Sequence, residues 1–170
     1  MRIIFLGLAI WNTIFFVYTI YLGETHSLMK YGQPLWWRDH FSVALITAMF
    51  TCLTQSIVMI HFMGTGKGIK EAVEGFSLPN DPQTGYVRRT KRFKARTSGL
   101  ATMGALLVLV SAFLGAAHDT HRIGVLWHAV FAYFSAVFNV FSFVVEYRVI
   151  KENTAMIREI NRLIAAKKAT

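Results

Sequence analysis

The chain has 170 residues, of which 54% are hydrophobic, with 14 phenylalanines against 3 prolines and a net charge of +9. That is too apolar for an ordinary water-soluble domain of this length and points to a membrane. One cysteine, Cys52, excludes an intrachain disulfide and a Cys-x-x-Cys metal site.

Four apolar runs cover residues 3–23, 41–66, 97–117 and 123–146, and only Glu146, at the end of the last, is acidic. Each reaches roughly the 20 residues that cross a ~30 Å hydrocarbon layer at 1.5 Å per residue. No run shows the alternation of a barrel strand, and backbone groups in lipid must be satisfied within the segment, so the runs are predicted as helices. The predicted fold is all-α: a polytopic membrane protein with a four-transmembrane-helix bundle as one domain, 1–170.

The first run follows Arg2 and ends in YLGETH without a small-x-small cleavage pattern, so it reads as a retained helix and not a signal peptide. Asn12 stands halfway along it. The connection ETHSLMKYGQPLWWRDH carries two basic and two acidic residues and the pair Trp36–Trp37. In the second run Thr47, Thr51, Thr54, Gln55 and His61 lie near one face, and Cys52 reads as a small packing residue.

The second run leaves through SIVMIHFMGTGKGIKEAVE. As a phosphate loop this stretch fails: His61 replaces the first glycine of G-x-x-x-x-G-K-[ST], Gly68 stands where Ser or Thr belongs, and a dinucleotide fingerprint would need a third glycine at Ile69. The glycines are predicted to bend or thin the helix at headgroup level, with Lys67 and Lys70, and then Arg88 and Arg89, reaching lipid phosphates. The connection 67–96 holds eight basic residues against three acidic. Ile69, Val73 and Phe76 continue a helical spacing until SLPNDPQTG interrupts it.

The fourth run begins beside Trp127 and carries His128, Ser135, Asn139, Ser142 and Glu146 at increments of seven, four, three and four, a single stripe. Beyond it, 147–168 is a basic amphipathic helix with Ile150, Met156, Ile157, Ile160, Leu163 and Ile164 on one side. This stripe fits either packing on the membrane or against 67–76, or docking to another subunit. Basic residues gather in 67–96 and 147–168, so the positive-inside rule places both termini in the cytoplasm, with Trp36, Trp37 and Trp127 at the outer interface. Juxtamembrane charge without aromatic-interleaved motifs speaks for anionic lipid and against nucleic acid.

Equal stepping along the second and fourth runs matches Thr51 with Ser135, Gln55 with Asn139 and His61 with Glu146, and brings Asn12 to the level of Gln55. These residues form a candidate polar track, which serves either as interhelical glue or as a functional path, with His61 and Glu146 as a predicted pair at its inner end. At the outer end gather His26, His40, His118, His121 and His128, with Glu24, Asp39 and Asp119 nearby. Of these, His40, His118, His121 and His128 are candidate transition-metal ligands, and His40 with His128 a candidate haem clamp.

The layout resembles the small haem-carrying or haem-free membrane anchors of respiratory complexes, without a family motif to carry residues across. With no complete catalytic set, the leading expectation is a non-enzymatic protein of a bacterial inner membrane, a subunit or assembly partner of a larger complex or a homo-oligomer. A haem- or metal-binding redox component and a small transporter or proton-conducting subunit are the alternatives.

Overall fold

A computed structural model describes residues 1–25, 39–81 and 85–169, and of Asp119 the backbone alone. His26, Trp36, Trp37 and Gln83 lie outside the described residues. Among the described residues four helices run in chain order: α1 (Arg2–Thr25), α2 (His40–Gly75), α3 (Tyr86–Asp119) and α4 (Val125–Lys168). All four contain stretches long and apolar enough to cross a membrane. The three prolines, Pro34, Pro79 and Pro82, fall between helices, so nothing in the apolar runs interrupts the backbone ladder.

Consecutive helices pack against each other antiparallel, and α4 closes the ring on α1, leaving α2 and α4 on a diagonal that their side chains bridge while their backbones stay apart. The bundle is apolar outside. Ile10, Val17, Leu53, Ile60, Phe113 and Val137 are exposed, whereas Asn12, Thr51, Gln55, Asn139, Ser142, Glu146 and Asn153 are buried. A surface of this kind suits lipid, and polar groups then belong inside, bonded to each other.

Two apolar clusters hold the bundle. One fills the middle, with Phe5, Phe16, Val58, Phe62, Phe143 and Val149. A second sits beyond the apolar runs, where Met156 and Ile160 of α4 pack on Ile69, Val73 and Leu78. Thus the stripe of 147–168 is covered largely by its own chain, and only Leu163 of its large residues stays exposed. The segment 67–96 is also mostly helical, because α2 runs through Gly64, Gly66 and Gly68 unbroken to Gly75. A helical backbone there leaves no phosphate-cradling loop.

Both α2 and α3 end in the same way. Leu78 N–H donates to Val73 O at 3.0 Å, and Arg122 N–H donates to Ala117 O at 2.8 Å. Ser77 and His121 take the left-handed conformation between, with φ of 45° and 58°. These are Schellman closures with a non-glycine residue at the position glycine favours. At the first of them Lys167 of α4 donates to Phe76 O at 2.9 Å and to Ser77 O at 3.0 Å, tying the tail of α4 to the end of α2.

Candidate functional site

A file of polar side chains runs through the bundle from the end where α2 and α4 begin, the histidine end, toward the end where the basic residues gather. At the histidine end His40 Nδ1 lies 3.1 Å from Thr19 O, and the Thr19 and Thr47 hydroxyls are 2.8 Å apart. Two turns inward Asn12 links α1 to α2 twice: it accepts from Thr51 Oγ1 at 2.8 Å and donates to Thr54 Oγ1 at 2.7 Å.

Next comes an amide clasp. Gln55 Nε2 donates to Asn139 Oδ1 at 3.1 Å, while Asn139 Nδ2 donates to Gly104 O at 3.1 Å and to Ser135 O at 3.0 Å. Three helices meet there because Gly104 has no side chain: a Cβ on it would stand 2.5 Å from Asn139 Oδ1 and 2.8 Å from Gln55 Nε2. The sequence match of Gln55 with Asn139 corresponds to a bond, and Asn12 reaches the turn beside it. Thr51 and Ser135, matched by the same stepping, are not joined: Thr51 goes to Asn12, and Ser135 Oγ has no hydrogen-bond partner.

Past the clasp the file changes character. Ser142 and Glu146 are fully buried, and neither Ser142 Oγ nor either carboxyl oxygen of Glu146 has a hydrogen-bond partner. Buried polar groups are ordinarily bonded, and an ionised carboxylate held without a counter-charge is among the costliest things a dry interior can contain. An acid in this state is a candidate functional group by that fact.

The predicted pair of His61 with Glu146 is not formed. His61 instead lies 3.5 Å from Asn153 Nδ2, which also donates to Thr65 Oγ1 at 3.3 Å. Equal stepping fails for a geometric reason. The sequence separation between partners is 84 at Gln55–Asn139, 88 at Thr65–Asn153 and 92 at His61–Asn153, so α4 is offset by one to two turns relative to α2 between the two levels. Half-buried His61 thereby faces Asn153, a residue the sequence reading passed over because it lies beyond the fourth apolar run. Its spacing of seven from Glu146 extends the same stripe and was the available signal.

Of the histidines, His128 neighbours both His40 and His118. The His40 and His128 ring centroids are 6.2 Å apart, and those of His118 and His128 are 6.4 Å apart. His121 is exposed in the turn after α3. Among the nearby acids Glu24 accepts from Tyr133 Oη at 2.6 Å, and Asp39 caps α2 by accepting from Ser42 N at 2.8 Å. Among the described residues no three metal-ligating side chains already converge on one point.

At the basic end Lys67 and Lys70 are exposed, each 3.8 Å from a glutamate one turn on, Glu71 and Glu74. Such pairs contribute little to stability and leave both ammonium groups available to a headgroup. Arg88 and Lys91 line a groove with Asn80 and Asp81, and Arg89 lines another with Tyr86 and Glu159. Tyr86 Oη donates to Glu159 Oε1 at 2.7 Å, and that bond holds the phenol above its ordinary pKa.

Comparison of the chain with protein families, with curated proteins and with solved structures returned no match.

Proposed function

We propose that this is a small proton-conducting component of a bacterial inner membrane, with both termini on the cytoplasmic side, in which Glu146 receives and releases the proton. One observation carries the reading: Glu146 is fully buried and both its carboxyl oxygens lack a hydrogen-bond partner. Interhelical glue is made of satisfied groups, as at Asn12, Thr54 and Asn139. An unsatisfied acid contributes nothing as glue and costs stability when charged. Retaining it beside four apolar runs makes chemical sense when the group exchanges a proton.

The neighbouring residues supply a route. From the basic end, His61, Thr65 and Asn153 lead toward Glu146, and Ser142 stands one turn above it. Hydroxyls can pass a proton by rotating, since each both donates and accepts. The Gln55 and Asn139 amides do not titrate, so their clasp forms the constriction, and Thr54, Thr51, Thr47 and Thr19 continue the file to His40. Basic side chains at Lys67, Lys70, Arg88 and Arg89 anchor the entry side to anionic lipid.

Infrared difference spectroscopy of the reconstituted protein tests this. A carboxyl C=O band that responds to a pH step and disappears in Glu146→Gln is expected. A response to pH that is the same in the parent and the Gln variant would assign Glu146 to packing alone.

A further inference from the structure

The cleft between α3 and α4 at the basic end carries a second arrangement, independent of the Glu146 reading and more specific than the general pull of Lys67, Lys70, Arg88 and Arg89 on an anionic leaflet. It begins with spacing. Arg89, Arg92 and Arg96 follow one another at increments of three and four, which sets them on one stripe of α3. Half-buried Arg89 lines a groove with Glu159 of α4, so that stripe runs along the side nearest α4. Across the cleft Arg148, Glu152 and Glu159 stand at increments of four and seven on α4. Glu159 accepts from Tyr86 of α3, so this second stripe runs along the side nearest α3.

Two contacts fix the register of these antiparallel helices. Asn139 meets Gly104, and Glu159 meets Tyr86. Arg148 lies nine residues past Asn139 and Arg96 eight before Gly104, which puts the two arginines at one level. Arg92 and Glu152 share the next level, about 6 Å further on at 1.5 Å per residue.

Arg92, Arg96 and Arg148 are exposed, and among the described residues none of them forms an ion pair or a hydrogen bond through its side chain. Helix α3 cannot neutralise its own arginines, because the chain has no acidic residue between Asp81 and Asp119. Of the carboxylates on the facing stripe, Glu159 is bonded to Tyr86 and Glu152 alone stands beside the three cations. The mouth of the cleft is therefore positive.

Both stripes continue as apolar surface. Seven residues on from Arg96 is Met103, and seven before Arg148 is Phe141, respectively 48% and 57% exposed. They lie about 10 Å from the arginine level, within the ~15 Å that one leaflet contributes to the hydrocarbon layer. A ligand seated here meets guanidinium groups first and apolar side chains beneath them. That order matches a phospholipid, whereas a soluble phosphate or a nucleic acid would use the upper part alone. Arginine suits the upper part, since its fork of N–H donors grips phosphate oxygens in pairs.

We propose that the mouth of the α3–α4 cleft binds one anionic phospholipid, with its phosphate on Arg96 and Arg148, Arg92 adjoining them, and an acyl chain along Met103 and Phe141.

The test uses the full chain, delipidated in detergent and titrated with phosphatidylglycerol or with phosphatidylcholine of the same chains, and read by native mass spectrometry. One equivalent of phosphatidylglycerol is expected, held at least tenfold more tightly than phosphatidylcholine and not displaced by soluble glycerol phosphate at equal concentration. Arg96→Gln and Arg148→Gln should each weaken it by about fivefold or more, the scale of one basic residue at a membrane surface. Arg96→Lys keeps the charge and loses the fork, so it too should weaken binding, which a diffuse attraction would not register. Arg2→Gln removes the same charge from an exposed position on α1, diagonal to α3, and should leave the bound equivalent unchanged. Melting temperatures of the lipid-free variants equal to the parent's would assign the losses to binding and not to fold. No preference for phosphatidylglycerol in the parent, or losses in Arg2→Gln equal to those in Arg96→Gln and Arg148→Gln, would overturn the site.

Discussion

Asn139 is the residue on which three helices converge, and its energetics follow from having three bonds and no solvent. Replacing it by Leu strands Gln55 Nε2, and an unsatisfied buried group costs about 1–3 kcal/mol. In a Gln55→Leu and Asn139→Leu cycle measured by detergent melting, the double variant should be less damaged than the sum of the singles by about 0.6 kcal/mol, the average for interhelical bonds in membranes. Gly104→Ala probes the same point from the backbone. Its methyl would stand 2.5 Å from Asn139 Oδ1, and the two amides cannot retreat without parting, so a loss of about 1–3 kcal/mol is expected. Gly7→Ala meets nothing within 4 Å and is the control, with a gain of roughly 0.5–1 kcal/mol from reduced backbone freedom. Equal losses at both glycines would mean that the clasp does not constrain Gly104. At this scale the sequence revealed which residues are polar and buried but not who bonds whom. Gln55 and Asn139 were matched by depth alone, whereas His61 and Glu146 were separated by an offset of one to two turns that no stepping count contains.

Among the elements, the helix ends are where sequence and structure part most usefully. Ser77 and His121 occupy left-handed positions without the glycine that suits them. Ser77→Gly and His121→Gly should each stabilise the fold, since a non-glycine left-handed residue carries roughly 1–2 kcal/mol of strain; a drop in melting temperature would contradict the closure geometry. The C-terminal extension of α4 is held by its own chain. Met156→Ala should cost about 2–5 kcal/mol, as for a fully buried apolar side chain, and should open the segment to limited proteolysis, while Leu163→Ala should do neither. The apolar stripe was readable at 3.6-residue spacing. What covers it was not, because a stripe looks the same whether a membrane, a partner or residues 69–78 of the same chain lies against it.

For the whole molecule, four helices followed from the lengths of uncharged runs, because lipid admits few other structures, and the placement of prolines between runs made their ends legible. The helical continuation of α2 through three glycines was less so, since local propensity opposes it and packing against Thr90 and the α4 extension sustains it. The proposed topology, argued from charge distribution, puts the basic end in the cytoplasm. A cysteine at exposed Lys91 should react with an impermeant maleimide only in opened membranes, and one at exposed Arg122 in intact cells; the reverse pattern would invert the protein. The central claim concerns the buried acid. Proton flux into proteoliposomes, driven by a potassium diffusion potential and read by an enclosed pH dye, tests it most directly: the parent should conduct above empty vesicles and Glu146→Gln, incorporated at equal density and folded, should not. Equal flux in the two, or no flux above empty vesicles in the parent, would contradict the account.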